Sequence, residues 1–207
     1  MISYNKYRYI YPPRPENKLP PNKLIDDNSF MAQPKLNGSN LTVYTNGIEV
    51  ILMTRHKTKM NVLLNEKIFK SLHKGSGWMA INGEYMNKSK NGYDNKSFNH
   101  RFVIFDILVF NGKQTIGMTF EERYKLLNKL YNPKKYDNYI KKINNWVYIV
   151  ETFYKDFNNI FNKLINIDMY EGLVLKEKQA KLKNGISQKN NINSQLKVRK
   201  PTKNYNY

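Results

Sequence analysis

Residues 102–110 read Phe-Val-Ile-Phe-Asp-Ile-Leu-Val-Phe, an apolar run interrupted by a single carboxylate. Successive side chains of a strand point to opposite faces, so apolar residues at both parities predict a strand buried on both sides. Asp106 sits inside it. A buried charge is costly unless it is paired, so the acid needs a counter-charge, such as an arginine, or a role in a shared pocket.

The rest of the chain supplies further strands and fewer helices. Residues 41–54 alternate around Asn46-Gly47, the strongest short hairpin signal. Residues 61–73 carry helical apolar spacing, and residues 78–86 read as a strand. Thr119-Phe120-Glu121-Glu122 is a capping box opening a helix to about Tyr131. Strands are expected over 146–154, 172–177 and 195–200, a helix over 156–167, and a mobile polar loop over 178–193. No internal repeat is evident. The expected fold class is α+β, with mostly antiparallel sheets and flanking helices.

Residues 1–30 are basic, tyrosine-rich and punctuated by Pro12, Pro13, Pro15, Pro20 and Pro21. They read as an extended arm leading into one domain over 31–207, since no second composition regime appears. A chain of 207 residues with 14% aromatics can bury a core, which excludes disorder.

Its 35 Lys+Arg against 16 Asp+Glu, a formal +19, point to a polyanionic partner such as nucleic acid, although Lys and Asn abundance also fits codon bias in an AT-rich genome. There is no cysteine, and His56, His73 and His100 lack ligand spacing, which argues against a thiolate or histidine metal site. No apolar run approaches a membrane span and residues 1–20 lack a signal-peptide core, so an intracellular, cytoplasmic protein is expected (host cytoplasm for a viral chain).

Five places put polar chemistry at the end or middle of apolar strands. Lys35, in Gln33-Pro34-Lys35-Leu36-Asn37-Gly38-Ser39-Asn40, sits where a strand should end in a glycine turn. Glu84 follows Gly83, Asp106 follows Phe105, Glu171 and Lys176 bracket an apolar strand, and Lys197 and Arg199 share one strand face. Singly, each fits a turn, a salt bridge or a solvated surface; together they fit one pocket.

In order and type these segments resemble the covalent nucleotidyltransferases: ATP-dependent DNA and RNA ligases and mRNA-capping guanylyltransferases. Lys35-Leu36-Asn37-Gly38 is similar to the nucleotidyl-lysine motif, and Arg55 to the arginine after it. Gly83-Glu84-Tyr85, residues 102–108, residues 171–176 and Leu196-Lys197-Val198-Arg199 resemble the remaining motifs. Three positions depart from the family pattern. Asn37 stands where ligases usually carry Asp, or His in the RNA ligase 2 branch; Asn40 stands where DNA ligases and capping enzymes usually carry Arg; and Arg199 stands where Lys is usual, with Lys200 adjacent.

The resemblance implies the ATP-grasp-like nucleotidyltransferase core of polynucleotide ligases; only seven residues follow Lys200, so the OB-fold domain appended in most DNA ligases and capping enzymes is not expected here. It implies that Lys35 attacks the α-phosphate of ATP. Only a neutral amine attacks, and desolvation with cations such as Lys176 and Lys197 would favour that form. Arg55, Lys176 and Lys197 are the further catalytic residues implied. Gln33, Pro34, Leu36, Asn40, Glu84, Phe105 and Arg199 join those four in the implied nucleotide site, with Phe105 stacking on the base. Glu171, Glu84 and Asp106 would hold Mg2+ or Mn2+.

The implied activity is joining of a 5′-phosphate to a 3′-hydroxyl through lysyl-AMP, on a nicked duplex of DNA or RNA, by a monomer or with a protein partner in place of the OB-fold domain. A capping-type guanylyltransferase, or a non-catalytic basic nucleic-acid-binding module with this fold, are the alternatives.

Overall fold

The computed structural model describes residues 2–185 and 191–201, the side chains of 191 and 192 excepted. Strands and helices are numbered in chain order. A four-stranded sheet has the order β1 (Arg14–Lys18), β12 (Asn191–Arg199), β11 (Tyr170–Glu177), β2 (Phe30–Leu36). The larger sheet runs β4 (Val50–Thr54), β3 (Ser39–Thr45), β5 (Met79–Tyr85), β6 (Phe102–Phe110), β10 (Val147–Val150), β9 (Ile140–Lys142), β8 (Lys134–Lys135), with β7 (Lys113–Gln114) paired to β6. Among the described strands, β1/β12 and β10/β6 pair in parallel and the remaining pairs are antiparallel. The α+β expectation holds.

β6 is the buried strand its composition predicts: Phe102, Val103, Ile104, Ile107 and Leu108 are fully buried. Its acid is paired. Helix α2 (Phe120–Tyr131) starts at the predicted capping box, with the Glu122 N–H donating to Thr119 Oγ1 and the Thr119 N–H to Glu122 Oε2. The first turn of α2 then carries Arg123 against β6. Arg123 Nε donates to Asp106 Oδ1 at 2.7 Å and Nη2 to Oδ2 at 2.9 Å, with both residues buried. A bidentate fork of this kind satisfies both charges and fixes the helix on the sheet.

Helix α3 (Phe157–Leu164) packs against β11 beneath the smaller sheet. Its N-cap position, Asp156, is left-handed and makes no side-chain cap. Asp26 caps it from afar, accepting from the N–H groups of Asp156 and Phe157. The largest apolar cluster joins both sheets, since Val103, Tyr148 and Val150 pack with Leu173, Leu175 and Val198.

Several boundaries move. The helix expected over 61–73 shrinks to α1 (Glu66–Lys70), capped by Asn65 Oδ1. Upstream of it, the chain is drawn along the large sheet, with the Met60 N–H bonded to the Leu52 carbonyl and the Leu63 N–H to the Tyr85 hydroxyl. Tertiary contacts override the helical spacing there. The strand expected over 146–154 is only four residues long.

The loop expected over 178–193 is pinned where it is described. Leu182 is buried, Ala180 and Leu182 carbonyls accept from Phe120 and Gly117, and β12 already begins at Asn191. Residues 186–190 of that loop lie outside the described residues.

Residues 2–18 lie against the body of the protein. Tyr4, Tyr9 and Ile10 are buried against Trp78, Ala80 and Leu108, and β1 extends the smaller sheet.

Candidate active site

A cavity of about 570 Å³ opens between the two sheets, within the size range of small-molecule sites. Strand register explains which side chains reach it. On the smaller sheet, Lys35, Gly172 and Arg199 lie side by side, as do Gln33, Val174 and Lys197, and then Met31, Lys176 and Gln195. Alternation therefore turns Gln33, Lys35, Val174, Lys176, Gln195, Lys197 and Arg199 toward the cavity, and all of them line it. The larger sheet contributes Asn40, Glu84 and Phe105, while Thr54, Arg55 and His56 form one lip. Pro12, Pro13, Arg14 and Pro15 form another, which sequence reasoning passed over as an arm.

Glu171 breaks the alternation. The β11/β2 register shifts between Tyr170 and Gly172, and this bulge aims the carboxylate into the cavity. Gly172 makes the bulge possible: it holds φ +144°, and a Cβ there would collide with the Val198 carbonyl. Lys35 Nζ then meets Glu171 Oε2 at 2.5 Å, and Arg199 Nη2 lies 3.2 Å from Glu171 Oε1. Lys200 turns away, its Nζ donating to the Ile165 carbonyl at the end of α3. Arg199 is thus the basic residue that faces the site.

Burial sets the electrostatics. Desolvation pushes the Glu84 carboxyl up to about 7, against the opposing pull of Lys35 and of the Gly38 N–H that donates to Glu84 Oε1. Desolvation likewise pulls the Lys176 ammonium down to about 8, with Asp106 opposing. Lys176 Nζ sits 5.2 Å from the ring centres of both Phe105 and Phe120. Partial burial, with Lys35 and Arg199 adding repulsion, holds Lys197 below the usual lysine range.

The sequence-predicted residues mostly converge. Gln33, Pro34, Lys35, Leu36, Asn40, Arg55, Glu84, Phe105, Glu171, Lys176, Lys197 and Arg199 all line the cavity. Asp106 does not. Both its oxygens are engaged by Arg123, so the metal-facing position expected for it gives way to a counter-ion inside the core.

Among the described residues no three carboxylate or imidazole groups cluster as a metal cage. Glu84 and Glu171 remain, and two carboxylates suit a magnesium ion held otherwise by phosphate oxygens.

Three residues not singled out in the sequence bear on the site: Asn82, Thr152 and Gln195. Asn82, fully buried, donates to Asn40 Oδ1 at 3.1 Å and holds that side chain at the cavity. Gln33 Nε2 donates to Thr152 Oγ1 at 3.0 Å. Gln195 is 2% exposed, and its Nε2 has no partner among the described residues; the same holds for Gln33 Oε1.

Residues 79–193, more than half of the chain, match the family described as the ATP dependent DNA ligase domain. The matched stretch carries Glu84, Phe105, Asp106, Glu171 and Lys176; Lys35 and Lys197 lie outside it.

Among solved structures, the fold is similar to the ligase domain of M. tuberculosis LigD, with TM-score 0.62 and 16% identity over 92% of this chain and 59% of that one. A mycobacterial DNA ligase D complexed with ATP and MES gives TM-score 0.61 at 14% identity, covering 92% of this chain and 60% of that one. A Lig E DNA ligase, described as binding DNA with a minimal scaffold, gives TM-score 0.56 at 19% identity, covering 90% and 68%. The chain thus spans about three fifths of the two ligase D structures. Sequence comparison with curated proteins gives no match.

Proposed function

The chain belongs to the ATP-dependent DNA ligase domain family, and on that footing we propose that it joins polynucleotide ends through an adenylated Lys35. One observation carries the reading: a lysine amine, a carboxylate at 2.5 Å and two further cations meet in one cavity of nucleotide size.

In the first step Lys35 Nζ, freed of its proton, forms a bond to the α-phosphorus of ATP. The bond from that phosphorus to the bridging oxygen breaks, and pyrophosphate leaves with the electron pair. Glu171 is placed to take the amine's proton. Lys197 and Arg199 lie across the sheet from Lys35, where they offset charge growing on the phosphates.

In the second step an oxygen of a 5′-phosphate attacks the adenylate, and Lys35 leaves as a reprotonated amine. In the third, a 3′-hydroxyl attacks that 5′-phosphate and AMP departs. A bound magnesium ion would neutralise phosphate charge, held by Glu84 and Glu171. Arg55, at the exposed lip, is assigned to the incoming strand.

DNA is the proposed polymer, in keeping with the family. The test is intact-mass measurement after incubation with ATP and magnesium, followed by transfer to nicked DNA, nicked RNA and hybrids. A gain of one adenylate, lost in Lys35→Ala, is expected. Absence of any nucleotide adduct would leave the basic nucleic-acid-binding module as the better account.

A further inference from the structure

Strand register links the cavity to the far edge of the larger sheet through one unbroken row. Asn40 lies opposite Glu84, and Glu84 opposite Val103. Val103 lies beside Tyr148, Tyr148 opposite Lys142, and Lys142 opposite Lys134. Directly paired residues of neighbouring strands share one face of a sheet. Asn40 and Glu84 line the cavity, so Lys142 and Lys134 stand on the cavity's side of that sheet. Four strand-to-strand steps separate β5 from β8, and at about 4.8 Å each they put Lys134 about 19 Å from Glu84.

Two lysines directly opposite each other repel, which destabilises a sheet. Neither Lys134 nor Lys142 has an acidic partner among the described residues. Their neighbour on the other face is treated differently. Lys141 donates to the Tyr124 hydroxyl at 2.7 Å and lies 3.4 Å from Glu151 Oε1. Lysines on an edge strand do guard it against pairing with another chain, a task that Lys134 and Lys135 on β8 already meet. Lys142 lies one strand further in, where no edge needs guarding.

A held cation flanks the row. Arg101 and Trp146 precede Val103 and Tyr148 by two residues and so fall on the same face, and the Arg101 guanidinium lies 4.6 Å from the centre of the Trp146 ring. Trp146 and Tyr136 are each 42% exposed. Phe98 roofs Tyr148, with ring centres 5.0 Å apart, and the loop that carries it adds the exposed Lys88. The acids of these segments are occupied: Asp94 pairs with Lys96, and Asp137 Oδ1 accepts from the Tyr139 and Ile140 N–H groups.

We propose that this edge holds the phosphate backbone of the duplex flanking the reacting end, about six base pairs away from it at about 3.4 Å per pair. The proposal rests on the ligase reading of the cavity. A phosphate set between two ammonium groups relieves their repulsion, whereas a second copy of this +19 chain would add to it.

Filter binding of the whole chain to nicked duplexes over a range of salt tests the assignment, with covalent labelling by ATP in parallel. Replacing both lysines (Lys134→Ala with Lys142→Ala) is expected to make the log–log salt slope shallower by about 2, one for each phosphate contact, and to weaken binding about tenfold at low salt. Lysine adenylation should be unchanged, and the melting point should hold or rise because the repulsion is gone. Lys142→Glu sets opposite charges across β8 and β9, so it should melt no lower than the parent yet bind more weakly still. Shortening each flank of the nick in turn locates the contact. On the side that meets this edge, a flank cut below about six base pairs should leave parent and double variant with the same affinity.

An unchanged salt slope in the folded variants overturns the proposal, as does a difference between parent and variant that survives shortening of either flank. Failure of the parent to bind nicked duplex overturns it too. A shallower slope in the variants, without a lysyl-adenylate in the parent, upholds the edge as a backbone-binding surface and overturns the ligase reading.

Discussion

Lys35 and Glu171 are 136 residues apart in sequence, yet Nζ of one and Oε2 of the other are 2.5 Å apart. The same carboxylate reaches Arg199 through its second oxygen. Glu171 therefore holds two cations together at the point where phosphate is expected to arrive. A nucleotide must compete with that carboxylate for both.

Glu171→Gln keeps the shape and removes the charge. Its expected effect is a fall in lysine adenylation by about 10²-fold, with the thermal midpoint little changed because the pair is partly exposed. Single-turnover labelling with ATP, alongside a melting curve, checks both halves. Undiminished labelling would remove the acid from the chemistry.

ATP affinity in the presence of magnesium should depend on pH on two sides. The Glu84 carboxyl, held up to about 7 by burial, ionises and becomes a ligand only as pH rises through that value. The Lys176 ammonium, drawn down to about 8, loses its charge as pH rises further. Affinity is expected to be highest between the two. Glu84→Gln should bind more weakly and lose the acidic limb while keeping the alkaline one. A profile of unaltered shape would count against Glu84.

Lys176 also predicts a trade between stability and function. Its folded value lies below the ordinary 10.5, so folding disfavours the charged form; its stabilising contribution is present above 10.5 and is lost as pH falls through about 8. Lys176→Met is expected to melt higher than the parent below pH 8, with the gap closing as pH climbs toward 10.5, and to bind ATP poorly. A constant gap across that range would refute the assignment.

Breaking the Asp106–Arg123 fork should be severe. Arg123→Met strands a buried carboxylate and is expected to cost about 3–5 kcal/mol, whereas Asp106→Leu with Arg123→Met removes both charges and should recover much of the loss. Denaturant unfolding of the two variants distinguishes this from a merely local contact.

With 35 basic against 16 acidic residues, affinity for nicked DNA is expected to fall steeply and linearly on a log–log plot against salt. Filter binding at several salt concentrations tests it. A flat line would mean that the charge excess is not used for phosphate contact.

What the sequence made legible follows from how local each signal was. The Thr119–Glu122 capping box and the doubly buried β6 are written in neighbouring residues, and both stand in the structure. The cavity-facing residues were legible too, because strand alternation and a familiar order of motifs place Lys35, Glu84, Lys176 and Lys197 together. The helix over 61–73 shortens to Glu66–Lys70 because the Tyr85 hydroxyl, outside the segment, claims the Leu63 N–H, and the Leu52 carbonyl holds Met60 just before it.

Asp106 fits a pocket or a counter-ion equally well until α2 is seen to carry Arg123 onto it. The Gln33–Thr152 bond joins residues 119 apart, so only the tertiary arrangement reveals it.

The parallel pairing of β1 with β12 has a consequence for how the protein comes into being. The cavity-bearing sheet is woven from residues 14–36 and 170–199, while the larger sheet is drawn entirely from the stretch between. On a ribosome, the larger sheet has all its strands before the smaller one can close. Lys35 is translated early but gains Glu171 only with β11, and Lys197 and Arg199 only when the last strand emerges. A nascent chain therefore carries the lysine before the side chains that complete the proposed site, and a product truncated before β12 would lack two of them.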